Sequence, residues 1–194
     1  MSNLPPYSLL DLRVQKTIDL LFRAFKDLLI EKHFSKITIQ EITKKAKVNR
    51  ATFYNHFENY SEFIIFCSRE GLRRELANNF PFESFTYTAE NLRILIDFIL
   101  EFINTTYNQW NYQWDEILFE KATRIELYYF LSTWIKFPKK TENEIVFSDT
   151  DALALSSSIT GVGMVWCHSG CLECKEDLVN RTVNLFTNGL PNLQ

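Results

Sequence analysis

At 194 residues, 46% hydrophobic and 23% charged, the chain has the composition of one globular domain or two small ones, not of a disordered polymer. The net charge of −3 is unevenly divided: residues 1–80 hold 13 Lys and Arg against 9 Asp and Glu, a local +4, which leaves −7 on residues 81–194. No apolar run approaches the ~18 residues of a membrane span, and Met-Ser-Asn-Leu-Pro-Pro-Tyr is not a basic-then-apolar leader, so no membrane partner is expected and the cytoplasm is the expected location.

In chain order, Val14, Ile18, Leu21, Phe22, Phe25, Leu28 and Leu29 recur at helical spacing and predict a helix over about Asp11 to Lys32. Thr38-Ile39-Gln40-Glu41 has the form of a capping box and opens a short helix ending near Ala46. Asn49 is a good N-cap for a second short helix from Arg50 to about Phe57. Asn59-Tyr60-Ser61-Glu62 reads as another capping box, opening a longer helix to about Asn79. Leu92, Leu95, Ile96, Ile99 and Ile103 mark the next helix. Ile117, Leu118, Ile125, Leu127, Tyr128, Leu131 and Ile135 mark another, between Trp114 and Lys136. Residues 137–149 are polar and read as a loop. Ser148 or Asp149 caps a helix to about His168, and a last helix spans about Cys174 to Asn188, with Gly189 as its left-handed cap. No alternating pattern occurs anywhere, and five Gly and five Pro are few for a sheet protein. The expected fold class is all-α.

Two short capped helices joined by a tight turn, behind an amphipathic helix and inside the basic part, describe a helix-turn-helix. Its second helix has the residue types for the work. Arg50 can donate bidentately to guanine, and Asn55 can read adenine. Thr52, Tyr54 and His56 reach phosphates, and the first amides of helix 38–46 with the Thr38 hydroxyl offer a phosphate site. A plain helical corner packed in a core would show the same caps.

The literal run Ile37-Thr38-Ile39-Gln40-Glu41-Ile42, then Ala46-Lys47-Val48-Asn49-Arg50-Ala51-Thr52-Phe53-Tyr54-Asn55-His56-Phe57, strongly resembles the DNA-binding end of the tetracycline-repressor (TetR) family over about residues 12–66. The resemblance implies a homodimeric transcriptional regulator, usually a repressor, with residues 1–60 as a three-helix DNA-binding domain and 61–194 as a helical effector-binding and dimerisation domain. It implies duplex operator DNA and a small-molecule effector as partners, and no cofactor. By matching positions it implies base contacts from Arg50, Ala51 and Asn55, and phosphate contacts from Thr38, Thr52, Tyr54 and His56. Asn49 belongs to the same run as the cap of the reading helix. Lys47 stands where the family usually has Gly, which puts a non-Gly residue near the left-handed region and a charge beside the DNA backbone. Tyr60 stands where a phosphate-binding Lys is common.

Three features lie outside that run. Cys167, Cys171 and Cys174 with His168 look like soft ligands or a redox site, but lack a second ligand pair; three small apolar residues around a turn is the plainer account, and no metal is expected. Ser158, Gly161, Val162, Val165 and Val183 suit a two-fold helical seam between copies. Aromatics of the middle helices, including Tyr107, Trp110, Trp114, Phe119 and Tyr128, suit the wall of a pocket for an apolar or flat effector, and equally a core. Neither His-Glu-x-x-His, Gly-x-Ser-x-Gly nor a P-loop is present, so no enzymatic activity is expected. A module for protein interaction or for thiol or metal sensing, its N-terminal corner purely structural, is the alternative from another class.

Overall fold

The computed structural model describes residues 10–81, 88–109, 115–136 and 148–188. These form helices α1 (Leu12–Glu31), α2 (Ile39–Ala46), α3 (Arg50–Tyr54), α4 (Tyr60–Asn79), α5 (Ala89–Gln109), α6 (Glu116–Lys136), α7 (Asp149–His168) and α8 (Lys175–Asn188), with a short 3₁₀ turn at Phe34–Lys36. No strand occurs among the described residues. The all-α expectation holds, as does the order of helices.

The chain divides into two compact units. One runs to Leu72 and includes the start of α6 through Ala122; the other begins at Arg73 within α4 and takes in α5, the rest of α6, α7 and α8.

In the N-terminal unit, α1 starts on Asp11, whose carboxylate accepts from the Arg13 amide at 2.8 Å. Its inner stripe of Ile18, Leu21, Phe25, Leu28 and Leu29 is buried. Phe53 and Phe57 meet that stripe together with Phe63 of α4. Ring centroids lie 5.6 Å apart for Phe25–Phe63, 5.4 Å for Phe53–Phe63 and 5.1 Å for Phe57–Phe63, tilted or edge-to-face. Such pairs add about 0.5–1.5 kcal/mol each beyond burial. A helix as short as α2 or α3 has no stability of its own, so these rings hold α3 in place.

Two sequence expectations are corrected here. The second short helix ends at Tyr54, not near Phe57, because the chain tightens: the Asn55 amide still bonds Ala51, but the His56 amide turns to Phe53 at 3.0 Å. Phe57 stays buried despite this. At the start of α4, Asn59 accepts from the Glu62 amide at 2.9 Å, but the Glu62 carboxylate accepts from the amide of Glu58, not Asn59, so the reciprocal box does not close.

In the C-terminal unit, Leu92, Leu95, Ile96, Ile99, Leu100 and Ile103 form the buried face of α5. α7 packs on it at Gly163, where a β-carbon would stand 2.6 Å from Ile103 Cδ1 and 3.2 Å from Leu100 Cδ2. Ser148 and Asp151 make a complete capping box at the start of α7. Arg73 and Glu126 form a bidentate pair, both bonds 2.8 Å, with Glu126 buried. On α6, Leu127 and Leu131 are buried as expected, but Ile117 is 77% exposed and falls off the stripe. Gly189 lies outside the described residues, as does most of the polar stretch 137–149.

Candidate nucleic-acid interface

α2 begins on a capping box. The Thr38 hydroxyl accepts from the Glu41 amide at 3.3 Å, and the Glu41 carboxylate accepts from the Thr38 amide at 2.9 Å. Lys32 forms an ion pair with the same carboxylate. The Lys32 ammonium and the two Thr38 donors hold Glu41 well below the usual carboxylate range, down to about 2. The phosphate site expected at this helix start therefore already contains an anion: the Thr38 hydroxyl proton is directed at Glu41, at 2.9 Å. An incoming phosphate has to share it.

The turn from α2 to α3 is closed by the Val48 amide on the Thr43 carbonyl at 2.9 Å, with Lys47 at φ 56° and ψ 36°. That is the left-handed region, which for a residue with a β-carbon costs about 1–2 kcal/mol. The departure from Gly noted in the sequence thus has the expected backbone consequence, and the closure aims an exposed lysine outward.

α3 starts on Asn49, whose side chain accepts from the Ala51 amide at 2.8 Å. Phe53 points inward. Arg50, Ala51, Tyr54 and Asn55 are exposed, and Thr52 and His56 partly so. Arg50 and Tyr54, one turn apart, are joined: the guanidinium donates to the Tyr54 hydroxyl at 3.2 Å and its carbon lies 5.5 Å from the ring centroid. The surface therefore presents a cation, a methyl-sized gap, a phenol and an amide on one rigidly backed turn.

Tyr60 stands apart from this group. Its hydroxyl donates to the Phe34 carbonyl at 3.3 Å, and its ring lies edge-on to Phe25. Burial, with Cys67 and Asp115 nearby, pushes the phenol well above its ordinary pKa. It serves the core. In exchange, α2 offers two exposed residues the sequence reading passed over, Gln40 and Lys44, spaced four apart and followed by the Lys47 it had named. That spacing is the signal that finds them.

The remaining candidates lie elsewhere. On α7, Ser158, Gly161 and Val162 are partly exposed and Val165 is 69% exposed; Val183 of α8 is partly exposed. A β-carbon on Gly161 would meet nothing within 4 Å, so Gly163 serves the chain's own packing while Gly161 fronts open space. Tyr107 lies on α5 with its ring 5.6 Å from that of His168, and Tyr128 on α6 neighbours Tyr129. Phe119 is buried in the N-terminal unit. Trp110 and Trp114 lie outside the described residues.

Residues 21–64 match the family model described as bacterial regulatory proteins, tetR family. The chain carries a TetR-family helix-turn-helix domain. Two curated relatives match in the same way. An uncharacterized HTH-type transcriptional regulator, YxbF of Bacillus subtilis (strain 168), is 45% identical over 56 residues, 28% of this chain and 15% of the relative. DhaS, the HTH-type dhaKLM operon transcriptional activator of Lactococcus lactis subsp. lactis (strain IL1403), is 38% identical over 48 residues, 25% of this chain and 26% of the relative. The matched segment thus spans about a quarter or less of the length of either curated relative. Among solved structures, a FadR regulator from Bacillus subtilis in complex with stearoyl-CoA aligns with 91% of this chain and 98% of its own, at TM-score 0.49 and 16% identity. The dihydroxyacetone kinase operon activator DhaS aligns with 88% and 93%, at TM-score 0.49 and 21% identity. No described helix is long and apolar enough to cross a membrane.

Proposed function

We propose that this chain is a sequence-specific, homodimeric transcriptional regulator that represses by occupying duplex operator DNA and leaves it when a small effector binds the C-terminal unit. The observation that carries the reading is α3, within the segment that matches the tetR family model, with Phe53 buried behind it and Arg50, Ala51, Tyr54 and Asn55 facing outward. Arg50 matches guanine O6/N7, Asn55 matches adenine N6/N7, and Ala51 is small enough for the helix to sit deep in the major groove. Thr52, Tyr54, His56 and Lys47 take the backbone on either side, Thr38 joins them at α2, and Asn49 fixes the start of the reading helix. Lys44 extends that set.

Two-fold pairing through the exposed stripe of Ser158, Gly161, Val162 and Val165 on α7, with Val183 on α8, would place two such helices on successive major grooves about 34–36 Å apart. An effector held by the aromatic residues of the middle helices, with Tyr107 and Tyr128 as candidates, would change that spacing by acting on α4. A differential affinity of ~1–3 kcal/mol between the two states suffices. The reaction at the operator is binding alone, and it takes place in the cytoplasm, where the DNA is.

The test is selection from a random duplex pool by the purified chain at near-physiological salt. A two-fold-symmetric site is the expected result. Recovery of unrelated sequences, bound with the salt dependence of non-specific contacts alone, overturns it.

A further inference from the structure

In the C-terminal unit Arg73, Arg93 and Arg181 each donate to a carboxylate, those of Glu126, Glu176 and Glu173. Arg50 is held differently. Among the described residues no carboxylate pairs with it; its Nη2 donates to the Tyr54 hydroxyl at 3.2 Å, and its guanidinium carbon lies 5.5 Å from the Tyr54 ring centroid. Their spacing of four residues puts the two side chains on one face of α3. The Tyr54 ring has its own backing. It stands edge-on to Phe53, with centroids 5.6 Å apart and planes at 82°, and Phe53 is fully buried. A chain of contacts thus runs from the core, through an exposed phenol, to a cation at the surface.

We propose, resting on the reading of α3 as the operator-reading helix, that Tyr54 is a positioning residue that sets the Arg50 guanidinium for guanine while leaving its charge whole. An arginine loses rotamer freedom when it docks, and one that is already held loses less. A carboxylate would hold it too, but would neutralise it and compete with DNA for its donors. A phenol holds it without adding a negative charge. The pairing spends one of the five guanidinium N–H donors, and the O6/N7 edge of guanine needs two. The Tyr54 hydroxyl accepts through a lone pair and so keeps its own proton for a phosphate, and accepting from a cation makes it the stronger donor. Arg50 on the base and Tyr54 on the backbone are therefore coupled, and their substitutions are not additive.

The experiment is a double-mutant cycle of Arg50→Ala and Tyr54→Phe in the full-length chain, read by fluorescence anisotropy on the selected duplex and on a scrambled one. Circular dichroism checks that every variant is folded. Tyr54→Phe keeps the ring and removes only the oxygen. Binding to both duplexes should weaken through the lost phosphate contact, and the preference for the selected duplex should fall by a further factor of about 2 to 12, the worth of one hydrogen bond. With Arg50→Ala already in place, Tyr54→Phe should leave the remaining preference unchanged. In the DNA-free chain, nitrogen-15 relaxation at Arg50 Nε should show the guanidinium gaining fast motion in Tyr54→Phe. Equal weakening on both duplexes, or a preference that falls as far without Arg50 as with it, overturns the proposal while the operator reading stands. So does an Arg50 Nε as mobile in the wild type as in the variant. A wild-type chain that prefers no duplex overturns the operator reading, and the proposal with it.

Discussion

The two units reach their packing by different means. The N-terminal unit positions helices of 8 and 5 residues, too short to persist alone, through caps at Thr38 and Asn49, a left-handed turn at Lys47 and four interlocked phenylalanine rings. The C-terminal unit packs helices of 20 and 21 residues, α7 on α5, along aliphatic side chains, with one glycine setting how closely they approach. The proposed recognition surface is thus fixed by caps and a turn acting over a few residues of chain, backed by rings drawn from α1, α3 and α4. The proposed dimerising surface rests on the fit of helices far apart in sequence.

Five substitutions sharpen that contrast. The largest effect is expected from Phe53→Ala, which empties the centre of the ring cluster and costs about 3–5 kcal/mol. Denaturant unfolding should show it as an early loss of the N-terminal unit, and a variant with wild-type stability would mean that the rings do not hold α3. Next comes Gly163→Ala, whose new methyl must displace Ile103 and Leu100. Overpacking of this kind costs about 1–3 kcal/mol. Gly161→Ala, two residues away, is expected to gain up to about 1 kcal/mol of helix propensity in the isolated chain while weakening self-association in sedimentation velocity. Equal behaviour of the two glycine variants would break the distinction between inner and outer face.

Lys47→Gly relieves the left-handed backbone and should raise stability by up to about 1–2 kcal/mol, while lowering the salt slope of DNA binding by about 1. The smallest effect concerns pH. Glu41 is held at about 2 against an ordinary 4.5, so its contribution is full above 4.5 and is lost as pH falls toward 2. Glu41→Gln should flatten the pH dependence of the urea midpoint across that window and leave it unchanged near neutrality in slope.

The local framework of the proposed recognition surface was legible in the sequence because its determinants are local. Thr38 with Glu41, Asn49 before Arg50, and Phe53 with Phe57 all act over two to four residues. Lys47 in the left-handed region followed from the same run. What the sequence could not disclose is where a side chain spends its bonds. Tyr60 is drawn inward by the Phe34 carbonyl, 26 residues away, and the Glu41 carboxylate of the capping box is further engaged by Lys32, nine residues away. In the C-terminal unit, periodicity found the helices but not their faces. Ile117 is apolar yet exposed, and the pair Gly161 and Gly163 looks uniform in sequence although only one of the two meets another helix. Facing is set by partners distant in the chain, and no local pattern encodes it.

The most direct test of the central claim compares wild type and Arg50→Ala on the selected duplex and on a scrambled duplex, by fluorescence anisotropy across a salt series. Loss of the guanine contact should cost about 1–3 kcal/mol on the selected site, roughly 5- to 150-fold in Kd. The scrambled duplex should change far less, since phosphate contacts dominate there. Equal losses on both duplexes, or none on either, would contradict α3 as the reader.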